Sequence, residues 1–377
     1  MNRQQKQELE RRRLHPAAVK SAESRGRAWP EDQDPWRTCL ERDRDRILHC
    51  TAFRRLEYKT QVFVNHVGDH HRTRLTHSLE VMQVARSMAG VLDLNEGLVE
   101  AVALSHDLGH PPYGHAGEEA LHARMKDHGG FDHNRQSVRV VTVLERRSPA
   151  YPGLNLSYEV LECLKKHEEV ADPDTGQRLR FPFLEAQLVD LADSTAYHYH
   201  DVEDGIRAGI LDPRAMEKDL ELWARACGQV RAELPGAEEN YLFWRRAANE
   251  LLGLTIQDIL DESRRRLAED RPGSPREAQT AARRMIGHSP EMRSRVAALH
   301  EYLYEHMYYD ERVNWHVRRA TDLLEHLFDA LLERPEAVPQ RFHDASDSLH
   351  RAVCDYIAGM TDRYVERVAR DLRILPG

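Results

Sequence analysis

The stretch Leu98–Glu118, LVEAVALSHDLGHPPYGHAGE, decides how this chain is read. From Leu98 to Leu104 it is apolar apart from Glu100. Apolar residues on every side predict a helix buried all round. The run ends in His106-Asp107 and passes at once into Leu108-Gly109-His110-Pro111-Pro112, where glycine and proline stop a helix. Neighbouring residues on a helix point about 100° apart, so a His-Asp pair can serve one centre only at a helix end. A buried helix finishing in His-Asp puts two ligand side chains on the floor of a cleft. Neutral imidazole and carboxylate together suit a divalent metal ion.

Working outward, Leu79, Met82, Ala85, Met88, Ala89 and Leu92 recur at three- and four-residue steps, which predicts an amphipathic helix opened by His77. Downstream, Gln187–Tyr197 (QLVDLADSTAY) sets Asp190 and Asp193 on an apolar helix. A carboxylate there is costly unless paired or metal-bound. A lone His-Asp dipeptide means little, and a single buried histidine is more often a satisfied core residue. The weight lies in His, then His-Asp, then Asp, in order and each on its own helix.

Helical periods also run over 116–126, 134–147, 157–167, 184–201, 215–232, 239–268, 277–287, 290–306, 313–333 and 340–372. Another helix is expected from Asp34 to Arg55. Residues 61–76 begin with a short β-like alternation. The predicted fold is mainly α. Residues 1–35 read as an irregular N-terminal arm, 36–268 as the catalytic domain, and 277–377 as a C-terminal helical part packing on it, with a linker near 269–276.

The chain has 377 residues, 41% hydrophobic and 31% charged, with net charge -9. That composition reads as globular and argues against nucleic-acid binding over the whole surface. Five scattered cysteines without a CxxC pair fit a reducing cytoplasm. No run of 18 apolar residues predicts a membrane span, and the charged N-terminus does not resemble a secretory signal. Many of the 22 histidines fall between His49 and His200, which locates the chemistry.

The segments FRRLEYKTQVF (53–63), RTRLTHSLEV (72–81), HDLGHPPYGHAGE (106–118), FDHNRQS (131–137), GLNLSYEVLECLKKHE (153–168) and QLVDLADSTAYHYHDVEDGIRAGI (187–210) resemble the dGTPase-like deoxynucleoside triphosphate triphosphohydrolases of the HD superfamily. The resemblance implies an HD-domain helical bundle with additional C-terminal helices. It implies His77, His106, Asp107 and Asp193 as ligands of a divalent ion: Mn, Mg, Fe, Co or Ni. Asp193 is preferred because the family's ligand stands four residues before an active-site tyrosine, here Tyr197; Asp190 is its rival. His115 is the candidate general acid, with Glu118 holding its ring, and His133 and His110 are phosphate contacts. Arg74 matches a phosphate-binding arginine, and Lys165 is a weaker cationic candidate. Gln61, Tyr197 and Asp201 match residues near the sugar. Tyr302, Tyr304, Tyr308, Tyr309 and Arg312 read either as a base pocket or as a packing stripe.

The implied reaction is hydrolysis of deoxynucleoside triphosphates to deoxynucleoside and triphosphate in the cytoplasm. Self-association, up to a hexamer, and a nucleotide activator are further implications. The alternatives are another HD phosphohydrolase, a 5′-nucleotidase or phosphodiesterase, or a nucleotide-sensing regulator. Arg11 to Arg13 with Lys20 could touch single-stranded nucleic acid, although such a charge run is usually just solvated.

Overall fold

The structure, a computed structural model, describes residues 1–60, 72–165, 176, 178–308 and 311–375. Among these residues there are α-helices and no strand, only isolated bridges such as Thr60 with Thr73. The helices are α1 (Arg3–Arg13), α2 (Cys39–Leu48), α3 (Thr51–Arg55), α4 (Arg74–Val91), α5 (Glu96–Ser105), α6 (Gly114–Arg124), α7 (His133–Arg139), α8 (Tyr158–Leu164) and α9 (Leu184–Arg207). They continue with α10 (Pro213–Asp219), α11 (Glu221–Glu233), α12 (Tyr241–Asp270), α13 (Pro275–Thr280), α14 (Pro290–Leu303), α15 (Glu311–Glu333), α16 (Gln340–Asp344), α17 (Leu349–Ala358) and α18 (Asp362–Asp371). The mainly helical fold is as expected.

Several boundaries differ from the periodic reading, each for a local polar reason. The arm is not irregular throughout: α1 forms on a capping box between Asn2 and Gln5. None of its residues is buried, so it carries no apolar period to read. The helix expected from Asp34 starts instead at Cys39. The Asp34 carboxylate accepts the N–H groups of Trp36 and Arg37, each at 2.8 Å, which holds a turn there. Thr38 and Glu41 then cap α2 reciprocally. The run 277–287 is helical only to Thr280, because Met285 and Ile286 donate their N–H groups to Gln187 Oε1, each at 3.2 Å. The run 340–372 breaks into three helices where Ser348 and Thr361 act as N-caps.

Helix α5 is the centre of the first core. It packs against α2 and α4, and α4 packs in turn on α9. Leu98, Val99, Ala101, Val102, Ala103 and Leu104 are all buried there. Residues on both sides of the 269–276 turn, Leu267 and Ala278, enter this same core. A second core sets α6 against α15, α17 and α18. A third surrounds Trp223 and Trp244, between the end of α9, α10 to α12, and α14.

Gly109 fixes how the loop after α5 lies on α7. A Cβ there would stand 2.2 Å from both His133 O and Ser137 N. The Ser137 hydroxyl accepts from Gly109 N at 2.9 Å and donates to His106 O at 2.7 Å. Only glycine allows this approach.

Leu98→Ala should cost about 2–5 kcal/mol of stability, measured by chemical denaturation followed by circular dichroism. A loss below about 1 kcal/mol would mean that α5 is not the packed centre.

Candidate metal centre

Three helices deliver the ligand candidates. His77 lies in the first turn of α4, whose start is capped by Thr73 and Thr76. His106 caps the C-terminus of α5 and Asp107 follows it. Asp193 comes from the middle of α9. Single ligand atoms of His77, His106 and Asp193 all lie within 4.8 Å of one another. His77 Nε2 stands 3.1 Å from Asp193 Oδ1. His106 Nε2 stands 3.3 Å from Asp107 Oδ1 and 3.5 Å from Asp193 Oδ1.

The donor set fits a divalent cation. His106 Nδ1 lies 2.6 Å from Ala103 O, a carbonyl that can only accept, so this nitrogen carries the proton of the neutral ring. Its Nε2 lone pair therefore faces two carboxylates. Burial works against ionising Asp107, but His110, His106 and Arg74 outweigh it and hold this carboxyl well below its ordinary value. Lone pairs and negative oxygens packed this closely need a positive charge between them. Asp190, the rival of Asp193, turns to Arg284 at 3.0 Å.

Arg74, at the first position of α4, is 1% exposed. Its Nη1 donates to Asp107 Oδ2 at 3.1 Å, while Nε and Nη2 are buried with no partner among the described residues. Unpartnered buried guanidinium nitrogens are costly, and an oxyanion would satisfy them.

A cluster of histidines adjoins. His110 Nδ1 lies 2.9 Å from Asp107 Oδ1, and burial followed by the charge of Arg74 holds its pKa well below the usual range. The His110 ring stacks on His133 at 3.8 Å. Glu118 was expected to hold His115, but it takes His133 instead. Its carboxylate lies 2.9 and 3.0 Å from His133 Nδ1 and accepts the His133 N–H at 3.0 Å. No hydrogen bond joins Glu118 to His115 among the described residues. His133 is the first residue of α7, capped by Asp132, and both its backbone N–H and its ring meet Glu118 of α6. His115 is solvent-exposed, with its ring 6.3 Å from that of His110. Desolvation, then the charge of Arg74, lowers its pKa.

Tyr197 stacks on Tyr308 at 6.5 Å, and the Tyr308 hydroxyl meets both Tyr197 Oη and the Asp201 carboxylate. The aromatic stretch therefore divides. Tyr308 reaches the residues expected near the sugar, whereas Tyr302 is buried in the third core and stacks on His306. Tyr304 is half exposed. Lys165 follows α8, is exposed, and makes no hydrogen bond or ion pair with the cluster among the described residues. Gln61 and Tyr309 lie outside the described residues.

An all-helical bundle with His, His-Asp and Asp converging from three helices defines an HD phosphohydrolase. The comparisons agree: residues 74–198 match the HD domain, and 286–371 match the phosphohydrolase-associated domain. The chain is 46% identical over 365 residues to a deoxyguanosinetriphosphate triphosphohydrolase-like protein of Deinococcus radiodurans, covering 96% of each. It is 43% identical over 379 residues to one of Parvibaculum lavamentivorans (94% of this chain, 95% of the relative). It is 42% identical over 386 residues to one of Brucella suis biovar 1 (95% and 94%). The chain belongs to this family of triphosphohydrolase-like enzymes. No helix among the described residues is long and apolar enough to cross a membrane.

Two measurements probe the site. Asp193→Asn should weaken Mn2+ binding at least about tenfold, with Asp190→Asn unchanged; the reverse order would exchange their roles. Burial pushes the Asp201 carboxyl up to about 8. A carboxyl raised in this way is protonated in the fold where the unfolded chain is ionised. Its stabilising contribution is complete below about pH 4 and is lost as pH rises toward 8. Asp201→Asn should flatten the fall in stability between pH 5 and pH 8, read by denaturation at each pH.

Proposed function

We propose that this enzyme hydrolyses deoxynucleoside triphosphates at the α-phosphorus, releasing deoxynucleoside and inorganic triphosphate. Arg74 carries the proposal: a buried guanidinium beside the ligand cluster, whose Nε and Nη2 have no partner among the described residues. A bridging role between Asp107 and a phosphate suits its fork geometry. The names of the relatives, triphosphohydrolase-like throughout, support the same substrate class.

His77, His106, Asp107 and Asp193 are assigned to the ion, which would act as a Lewis acid toward the α-phosphate and lower the pKa of a bound water. Arg74, His110 and His133 orient the phosphates from the adjoining side. Glu118 fixes the ring of His133, so that its Nε2 is directed by a held imidazole. His115 supplies a proton to the departing 5′-oxygen. Desolvation and the charge of Arg74 lower its pKa, and the negative charge of a triphosphate would act in the opposite direction, toward the protonated acid. Tyr197, with Tyr308 and Asp201 behind it, forms the wall of the sugar site. Self-association and response to a nucleotide activator belong to the same proposal.

The test incubates Mn2+-loaded protein with each of the four deoxynucleoside triphosphates, singly and mixed, and identifies the products by ion-exchange chromatography. Triphosphate with free deoxynucleoside is the expected result. Orthophosphate released from monophosphates, with triphosphates untouched, would indicate a 5′-nucleotidase instead. Arg74→Met should lower kcat/KM by roughly 10- to 100-fold, the value of a charge-assisted hydrogen bond, without releasing the metal.

A further inference from the structure

Behind the ligand cluster a second pair of residues meets His77. Helix α4 carries His77 and, one turn on, Glu80; α9 carries Asp193 and, two turns on, His200. At these spacings both pairs share a helix face. His200 is 3% exposed, and its ring stands edge-on to His77 with centroids 5.4 Å apart. His77 Nδ1 lies 3.4 Å from His200 Nδ1, and His200 Nε2 meets the Glu80 carboxylate. Arg72, tied to Glu203 and to Asp204, places its Nε 3.5 Å from the same Glu80 oxygen.

The proton positions along this chain are forced. An ionised carboxylate only accepts, so His200 Nε2 must donate to Glu80. A neutral His200 then has a bare Nδ1, which can only accept, so His77 Nδ1 must donate to it. His77 Nε2 is left with its lone pair, and it is this atom that faces Asp193 at 3.1 Å. On the other side of the cluster the Ala103 carbonyl does for His106 what His200 does for His77.

We propose that His200 and Glu80 are positioning residues that lock His77 in the Nδ1-protonated tautomer and aim its Nε2 at the metal. The assignment rests on the reading of His77 as a ligand. Neither residue touches the ion or the substrate. Their effect is on metal affinity, through the direction and basicity of one ligand atom.

The experiment titrates the full-length, metal-free protein with Mn2+, counting free Mn2+ by electron paramagnetic resonance. It also records long-range 1H–15N spectra of the histidine-labelled protein without metal. His200→Phe should weaken Mn2+ binding by about 10- to 100-fold and convert His77 from a single tautomer to a mixture. His200→Asn, whose amide oxygen stands near the lost Nδ1, should recover part of the affinity. Glu80→Gln should weaken binding several-fold. Wild-type affinity in both His200→Phe and Glu80→Gln, with binding lost in His77→Ala, would overturn the proposal and leave the ligand assignment intact. Undiminished binding in His77→Ala would overturn the ligand assignment and the proposal together. Should His200→Phe fail to fold, Glu80→Gln decides: its carboxylate is partly exposed, and unchanged affinity there overturns the proposal.

Discussion

The site is organised around a repulsion. Imidazole lone pairs and carboxylate oxygens from three helices approach one another within 3.1–3.5 Å in a largely buried position. At low local dielectric such an arrangement is costly by itself and becomes favourable around a cation. Helix α5 is what makes the approach possible. Its apolar faces pack against α2 and α4, and its last carbonyls and the following loop fix where His106 and Asp107 emerge. The packing thus pre-sets a geometry that the ligands alone would not adopt.

The loop that follows is held from the far end of the sequence. Lys59 Nζ donates to His110 O at 2.6 Å and to Ala358 O at 2.9 Å. Asp362, the first residue of α18, accepts the Tyr113 N–H at 3.0 Å and the Thr60 N–H at 2.9 Å. Tyr113 needs such a hold, since its φ of 60° is an unfavourable conformation for a residue with a side chain. A Cβ on Gly117 would fall 2.0 Å from Pro112 O, so the turn into α6 has no spare room. The C-terminal helices are therefore part of what holds the loop through His110 and the turn into α6, and not an appendage to a finished domain.

How much of this was legible in the sequence follows from the kind of signal each feature leaves. The apolar run before His106-Asp107 and the period after His77 are strong signals, and the helices they predict are present. The boundaries that moved depend on single side-chain to backbone bonds, such as Asp34 to Trp36 or Gln187 to Met285, which leave no periodicity. The partner of Glu118 was misjudged because i+3 spacing favoured His115, while His133 comes from another helix through a tertiary contact. Tyr308 was visible only as one aromatic among several. Its position against Tyr197 and Asp201 depends on a π-helical turn, Tyr304–Tyr308, that nothing in the local composition announces. The Glu80–His200 pair was hidden for the same reason, since the two residues stand 120 positions apart and meet only when α4 packs on α9.

The two halves of the site make opposite demands on charge. One half gathers carboxylates and imidazole lone pairs and calls for a cation. The other gathers Arg74 with His110, His115 and His133 and calls for an anion. Arg74 joins them, because the guanidinium that donates to Asp107 keeps two further nitrogens without a partner among the described residues. An ion on the ligands would share Asp107 with His110, His106 and Arg74, the groups that hold this carboxylate ionised. A phosphate on Arg74 lowers the repulsion the ion would meet from that guanidinium. On the proposed reading each ligand thus reduces the cost of binding the other, which is a coupling free energy and must be reciprocal. A polyphosphate substrate satisfies both halves at once, and a neutral substrate would satisfy neither.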